Sequence, residues 1–260
     1  MRRCFIFGLG YSAGRIAAAL EARGWEVIST GRAGTLSFDD AANVRLALTG
    51  ADAVLSSVPP SADGDPVLAT YGADIAAHKV VYLSSTGVYG DTGGAWVDET
   101  APTGTGRRTA RAEADASWLE RGARVLRLPG IYGPGRSALD RVREGKAHRI
   151  DLPAQVFSRV HVDDIVSGAV AAFDAPPGAY NLADDEPTSQ NAVIEEACRL
   201  LGLEPPPLQS LDAAGLSPMA RGFYAENRRV ANGKARRVLG WRPRFPNYRE
   251  GLRAILAGDG

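Results

Sequence analysis

The chain has 260 residues, enough for one large α/β domain or one domain with a small appendage. Thirty basic residues balance thirty acidic ones, which removes any electrostatic case for binding nucleic acid or an anionic membrane. Hydrophobic residues make up 45%, yet no window approaches 18 consecutive apolar residues, so the composition fits a soluble globular protein and excludes a membrane-spanning helix.

Strand-like and helix-like segments alternate from the start. Residues 4–8, "CFIFG", form a short β-rich run, and 13–24 read as a helix with Ile16 and Leu20 on one face and Gly24 as the stop. A strand is predicted at 26–30, a short helix at 43–50, and a strand at 52–60 that ends on two prolines. A helix follows at 66–78, then the apolar strand "KVVYLSS" (79–85), whose continuous core suits a sheet covered on both faces. "GTGRRTARAEADASWL" (104–119) reads as a helix, and 124–133 as a strand running into a loop. This βαβα order predicts a doubly wound parallel sheet of the Rossmann type. Beyond residue 133 the alternation weakens. A loop and helix (133–145), a capped helix (160–173), a strand (178–184), a helix (191–202) and a C-terminal helical segment suggest a smaller mixed lobe. The expected division is a nucleotide-binding unit of 1–133 completed by about 156–183, and a substrate lobe of 184–260 joined by about 134–155.

The turn after the first strand carries the sharpest chemical signal. "GLGYSAG" reads G-x-G-x-x-A, with Gly8 for a tight turn, Gly10 for close approach of a pyrophosphate, and Ala13 or Gly14 for packing of the helix on the strand. The free N–H groups at the start of that helix would face the phosphates. The second strand ends "STGRAG", and no Asp or Glu occurs between Glu26 and Asp39. An NAD site wants an acid there for the ribose hydroxyls, so the missing acid, with Arg32 in its place and Ser29 and Thr30 as extra donors, predicts NADP over NAD. The cofactor lining is expected from Gly8, Gly10, Tyr11, Ser12, Ala13, Arg32, Val58, Pro59, Ser84 and Pro129.

Other residues carry weaker signals. Cys4 and Cys198 sit in apolar contexts and read as buried free thiols. The apolar run after "MRR" breaks at Gly8, too short for a secretory signal, so a cytoplasmic protein is expected. "HVDD" (161–164) gathers a histidine and two aspartates, but its spacing matches no strong ligand motif. Asp163 or Asp164 is expected to cap the following helix, and no metal site is expected. Thr188 or Ser189 is expected to start the helix near 191.

Together with the fingerprint, "LSSTGVYGD" (83–91), "RLPGIYGPGR" (127–136), "RVHVDDIV" (159–166), "AYNLADDEPTS" (179–189) and the C-terminal "KARRVLGWRPRFPNYREGL" resemble the extended, atypical short-chain dehydrogenase/reductases of the NAD-dependent epimerase/dehydratase type. The resemblance implies a small-molecule substrate, oxidoreductase or epimerase-type chemistry on a carbonyl or sugar-like compound, and dimerisation through the helices near 66–78 and 104–121. It also implies that Ser85, with Thr86 beside it, polarises the substrate. The family's tyrosine and lysine, four residues apart, do not carry over: Thr105 and Thr109 stand at those positions, and none of the eight tyrosines has a lysine four residues on. An unassisted tyrosine, with a pKa of about 10, is a poor proton carrier near neutrality. Three readings follow. One is an enzyme with a relocated acid/base, Tyr89 or Tyr132, beside Arg107, Arg108, Arg111 or Arg136. Another is a non-catalytic NADP(H)-binding sensor or regulator. The third, a module that has also lost its cofactor, is disfavoured by Gly8, Gly10 and "RLPG".

Overall fold

The computed structural model describes residues 1–106 and 109–258. Its centre is a six-stranded parallel sheet built from β1 (Arg3–Phe7), β2 (Glu26–Ser29), β3 (Ala53–Ser56), β4 (Lys79–Ser85), β5 (Arg124–Leu128) and β6 (Gly178–Asn181). The spatial order is β6-β5-β4-β3-β1-β2. β1 pairs with both β2 and β3, Ile6 lying opposite Ser29 on one side and Leu55 on the other. The strand order therefore reverses at β1, the position where open α/β sheets leave a crevice at their carboxyl edge.

The alternation of side chains along the strands builds two cores. Cys4, Ile6, Leu55, Val81, Leu83 and Leu126 face one way and meet Ile16 and Leu20 of α1 (Tyr11–Glu21). A second cover on that face comes from Ile165 and Ala169 of Val162–Ala172. Phe5, Phe7, Val54, Val80, Tyr82 and Val125 face the other way. They are covered by α2 (Ala41–Thr49), α3 (Pro66–Tyr71) and α4 (Thr109–Glu120), the last through a stacked Trp118–Tyr82 pair at 5.1 Å. Two buried faces explain why these strands read as continuous apolar runs.

A third apolar cluster lies beyond the sheet. It joins α5 (Ala138–Arg143), α7 (Gln190–Leu201) and a helix at Tyr248–Ala257 through Leu139, Ile194, Cys198, Tyr248 and Leu252. α6 is the Val162–Ala172 helix already met on the first face. Three short parallel pairs decorate the periphery: Gly130–Tyr132 with Arg159–His161, Arg149–Ile150 with Leu208–Gln209, and Trp96–Val97 with Arg229–Val230. Both cysteines are buried and free. Among the described residues, no helix is long and apolar enough to cross a membrane.

Four local expectations are corrected. The helix expected at 66–78 is regular only over Pro66–Tyr71, because Gly72 ends it and the chain continues in turns. The helix expected from residue 104 is described over Thr109–Glu120, and 104–106 lie outside it. Gly104 adopts φ +84°, and Gly106 presses so closely on Gly90 that a Cβ would lie 2.8 Å from that residue's Cα, so the segment serves as a packed turn. The loop expected after β5 contains the strand Gly130–Tyr132. α6 is capped by His161, whose Nδ1 accepts from the Asp163 amide at 3.2 Å, and not by Asp163 or Asp164. Asp163 instead pairs with Arg15 at 2.9 Å, tying α1 to α6, while Asp164 accepts the amides of Arg244 and Phe245. Ser189 caps α7, as one of the two expected candidates.

Candidate active site

All six sheet strands run parallel, so the segments following β1 to β5 emerge along one edge. Gly8 leaves β1 at φ +81°, a left-handed conformation, with Val58 so close that a Cβ would meet its Cγ2 at 2.9 Å. The Gly8 amide donates to Thr30 Oγ1, its carbonyl accepts from the Ser57 hydroxyl, and Leu9 donates to the Thr30 carbonyl at 2.8 Å. The turn is thereby stitched to the ends of both neighbouring strands. Gly10 differs: a Cβ there would meet nothing within 4 Å, so its face is open. Ala13 is buried in the sheet–helix contact, which makes it the residue of close packing, whereas Gly14 has open space beside it.

α1 begins at Tyr11 with Gly10 as N-cap and no capping side chain, and no acid occupies its first turn. The leading N–H groups of a helix carry partial positive charge and need an acceptor, so this end suits an anion. Tyr11 closes one flank, its hydroxyl donating to the Pro134 carbonyl at 3.1 Å, and the guanidinium groups of Arg15 and Arg136 each lie 5.7 Å from its ring centre. Ser12 is partly exposed in the same turn. Beyond β2, Arg32 is exposed and its turn carries no carboxylate. Ser29 and Thr30, expected as extra donors there, are buried, and the Thr30 hydroxyl accepts from the Gly8 amide. Val58 and Pro59 follow β3, half-buried and exposed respectively.

At the end of β4, Ser85 caps a 3-10 turn spanning Thr86–Tyr89, accepting from the Gly87 amide at 3.1 Å. That bond occupies a lone pair and leaves the hydroxyl hydrogen available. Ser85 and Thr86 line a cavity of about 400 Å³, a volume ordinary for a small-molecule site. Pro129 and Gly130 border it from the end of β5, and Phe157, Arg159, Tyr224 and Arg228 lie on other walls.

The structure does not bring Tyr89 to this cavity. Its ring is 1% exposed, its hydroxyl donates to Asn181 at 2.8 Å and accepts from Arg127 at 3.0 Å, and burial raises its pKa despite the guanidinium beside it. Ser84 is likewise withdrawn, donating to Asp115 at 2.6 Å. These residues belong to a buried network that the sequence reading missed. Arg127 of β5 forks onto Asp115 of α4 at 2.6 and 3.1 Å, both side chains being almost wholly enclosed. The available signal was a charged residue inside the apolar strand "RVLRL" opposite an aspartate on the apolar face of α4.

The remaining acid/base candidates are also placed. Tyr132 lies against His161 and under Gly251, its hydroxyl buried without a partner and its pKa raised by burial. His161 is fully buried and pushed down to about 4 by burial, so it does not line the cavity. Arg111 donates to the Tyr82 hydroxyl, and Arg136 lies over Tyr11. Arg107 and Arg108 lie outside the described residues. Thr105 donates to the Tyr89 carbonyl at 2.9 Å, and Thr109 opens α4 on an exposed face. No cluster of metal-ligating side chains occurs among the described residues.

No family model matches the chain. A 3-diazoavenalumate denitrifying reductase from Streptomyces is 36% identical over 171 residues, 60% of this chain; the match spans about half of that relative, 55% of its length. Protein YeeZ from Escherichia coli K12 is 29% identical over 95% of this chain and 97% of its own. Among solved structures, a functionally unknown conserved protein from Silicibacter pomeroyi is 42% identical, with a TM-score of 0.88 and 99% of both chains covered. Two more distant structures share the fold with TM-scores of 0.78. One is a dTDP-glucose 4,6-dehydratase from Bacillus anthracis in complex with NAD, 15% identical over 99% of this chain and 96% of its own. The other is the human epimerase family protein SDR39U1 with NADPH, 17% identical over 98% and 99%. With the Silicibacter protein the chain belongs to one family, whose fold is that of the dehydratase and epimerase-family structures.

Proposed function

We propose that the protein is an NADPH-dependent oxidoreductase acting on a small carbonyl compound. The observation that carries this reading is the shared edge: an uncapped helix start with an open Gly10, and a hydroxyl-lined cavity, both at the carboxyl ends of the same parallel strands. Gly10 and the amides of Tyr11, Ser12 and Ala13 would hold the pyrophosphate, with Val58 and Pro59 bordering it. Arg32 would face the ribose phosphate, since no acid competes for that place. Pro129 would border the nicotinamide, which supplies hydride chemistry when bound.

The chain's own contribution is polarisation and positioning. Ser85 can donate its hydroxyl hydrogen to a substrate oxygen while Gly87 holds its lone pair, so the donor is oriented before substrate arrives. Thr86 lies beside it on the cavity wall. Proton delivery is not assigned to Tyr89, whose hydroxyl is committed on both sides. The reductase name of the Streptomyces relative supports oxidoreduction, while the bound cofactors of the two distant structures include both NAD and NADPH.

A second reading, a cofactor-binding protein without turnover, is favoured by Thr105 spending its hydroxyl on the turn instead of offering it to a substrate. Cofactor titration followed by a carbonyl screen at the reduced-nicotinamide absorbance separates the two. NADPH is expected to bind at least tenfold more tightly than NADH, and Arg32→Glu to abolish that preference. Ser85→Ala is expected to lower turnover about 100-fold with little change in NADPH affinity. Tight NADPH binding with no turnover of any carbonyl supports the second reading.

A further inference from the structure

The cavity has a chemically distinct far end. Arg159 is buried in its wall, and its terminal nitrogens donate only to neutral groups: the carbonyls of Phe157, Thr188 and Ser189, and the Gln190 side chain. Among the described residues it has no ion-pair partner. The nearby Asp184 carboxyl lies beyond ion-pair distance, and burial pushes its pKa up to about 8 even though the Arg159 charge pulls it down. A buried guanidinium without a counter-charge is costly and favours an anion beside it. Arg141 also lines the cavity, is exposed, and among the described residues its guanidinium donates only to the Lys146 carbonyl. Arg228 is balanced by Glu226 at 2.9 Å, so the excess positive charge belongs to Arg159 and Arg141.

Aromatic surface accompanies this charge. Phe157 and Tyr224 meet edge to face at 5.6 Å, Phe223 lies on the same lining, and the Tyr224 hydroxyl is close enough to Arg141 and Arg159 to feel both charges. Such walls suit a flat unsaturated body.

We propose that the cavity binds a small organic carboxylate with a flat unsaturated body, its carboxylate held at the Arg159, Arg141 and Tyr224 end and its reacting carbon toward Ser85 and Thr86. The placement of the reacting carbon rests on the oxidoreductase reading; the anion end does not. The full-length protein is titrated by calorimetry with trans-cinnamate, its neutral isostere cinnamamide, and UDP, each with and without NADPH. Cinnamate is expected to bind at least tenfold more tightly than cinnamamide, the scale of a charge-assisted contact. Arg141→Gln is expected to erase most of that difference while leaving cinnamamide affinity unchanged. Arg159→Met should do the same if it folds, but Arg141 is exposed and its variant keeps the test open. Equal binding of cinnamate and cinnamamide, or tighter binding of UDP than of cinnamate, overturns the proposal. Carboxylate selectivity without NADPH binding would sink the oxidoreductase reading alone; NADPH turnover of neutral substrates without carboxylate selectivity would sink the anion end alone.

Discussion

Asp184 shows how tertiary placement changes a residue's chemistry. In the sequence it is one acid of an acidic loop, "ADDEPTS". In the fold it is 2% exposed, neither oxygen has a close hydrogen-bond partner among the described residues, and burial pushes its pKa up to about 8 although the Arg159 charge and the Glu186 amide pull it down. Asp164, pushed up to about 6 by burial, acts in the same direction. In the unfolded chain both groups would lose their protons near pH 4. Across the window from about 4 to about 8 the folded state holds protons that the unfolded state has released, so stability falls as pH rises. The melting temperature is expected to drop between about pH 5 and about pH 8.5, and Asp184→Asn is expected to flatten that slope. Thermal unfolding across the pH series checks this; an unchanged slope would assign the titration to another group. Nothing in the residue types foretold the shift, because it depends on which neighbours exclude water.

At the scale of elements, the turn between β1 and α1 was legible because its glycines serve a local geometry. The structure separates the two glycines by the space around them. Gly8 is constrained by φ +81° and by Val58, whereas Gly10 has free space beside it and φ −96°. Gly8→Val is expected to destabilise the fold by ~1–3 kcal/mol through strain and overlap. Gly10→Val is expected to leave the melting temperature within about a degree while weakening NADPH binding at least tenfold, since the added methyls would stand where the pyrophosphate approaches. Calorimetry and thermal unfolding on the two variants check both halves. The helix read from residue 104 was less legible. Its Ala/Glu pattern is helical throughout, but Gly104 and Gly106 serve a packed turn against Gly90, a contact set by residues far away in sequence.

Across the whole molecule, one buried network joins elements of the sheet and its cover. Asp115 of α4 holds Ser84 of β4 and Arg127 of β5; Arg127 holds Tyr89 in the 3-10 turn; Tyr89 holds Asn181 of β6. The network lies directly behind Ser85 and fixes the turn that presents it. Removing one partner of a buried pair leaves an uncompensated charge, so Asp115→Ala is expected to cost ~3–5 kcal/mol in denaturant unfolding. The double replacement Asp115→Leu with Arg127→Met is expected to recover a large part of that loss. A cost for Asp115→Ala below about 1 kcal/mol would show that the pair contributes little to the fold.

The order of the main strands and helices, the parallel sheet and the glycine turn after β1 followed from the sequence alone. Periodicity, glycine placement and the absence of an acid after β2 are local properties, and local sterics translate them directly into structure. The partner of each polar side chain did not follow. Tyr89 was a plausible proton carrier until the fold enclosed it between Asn181 and Arg127, and Arg159 was one arginine among many until the fold buried it without an ion-pair partner among the described residues. Hydrogen bonding, desolvation and charge balance depend on which distant segments meet, so the tertiary structure alone decided which hydroxyls and cations remain available to a ligand.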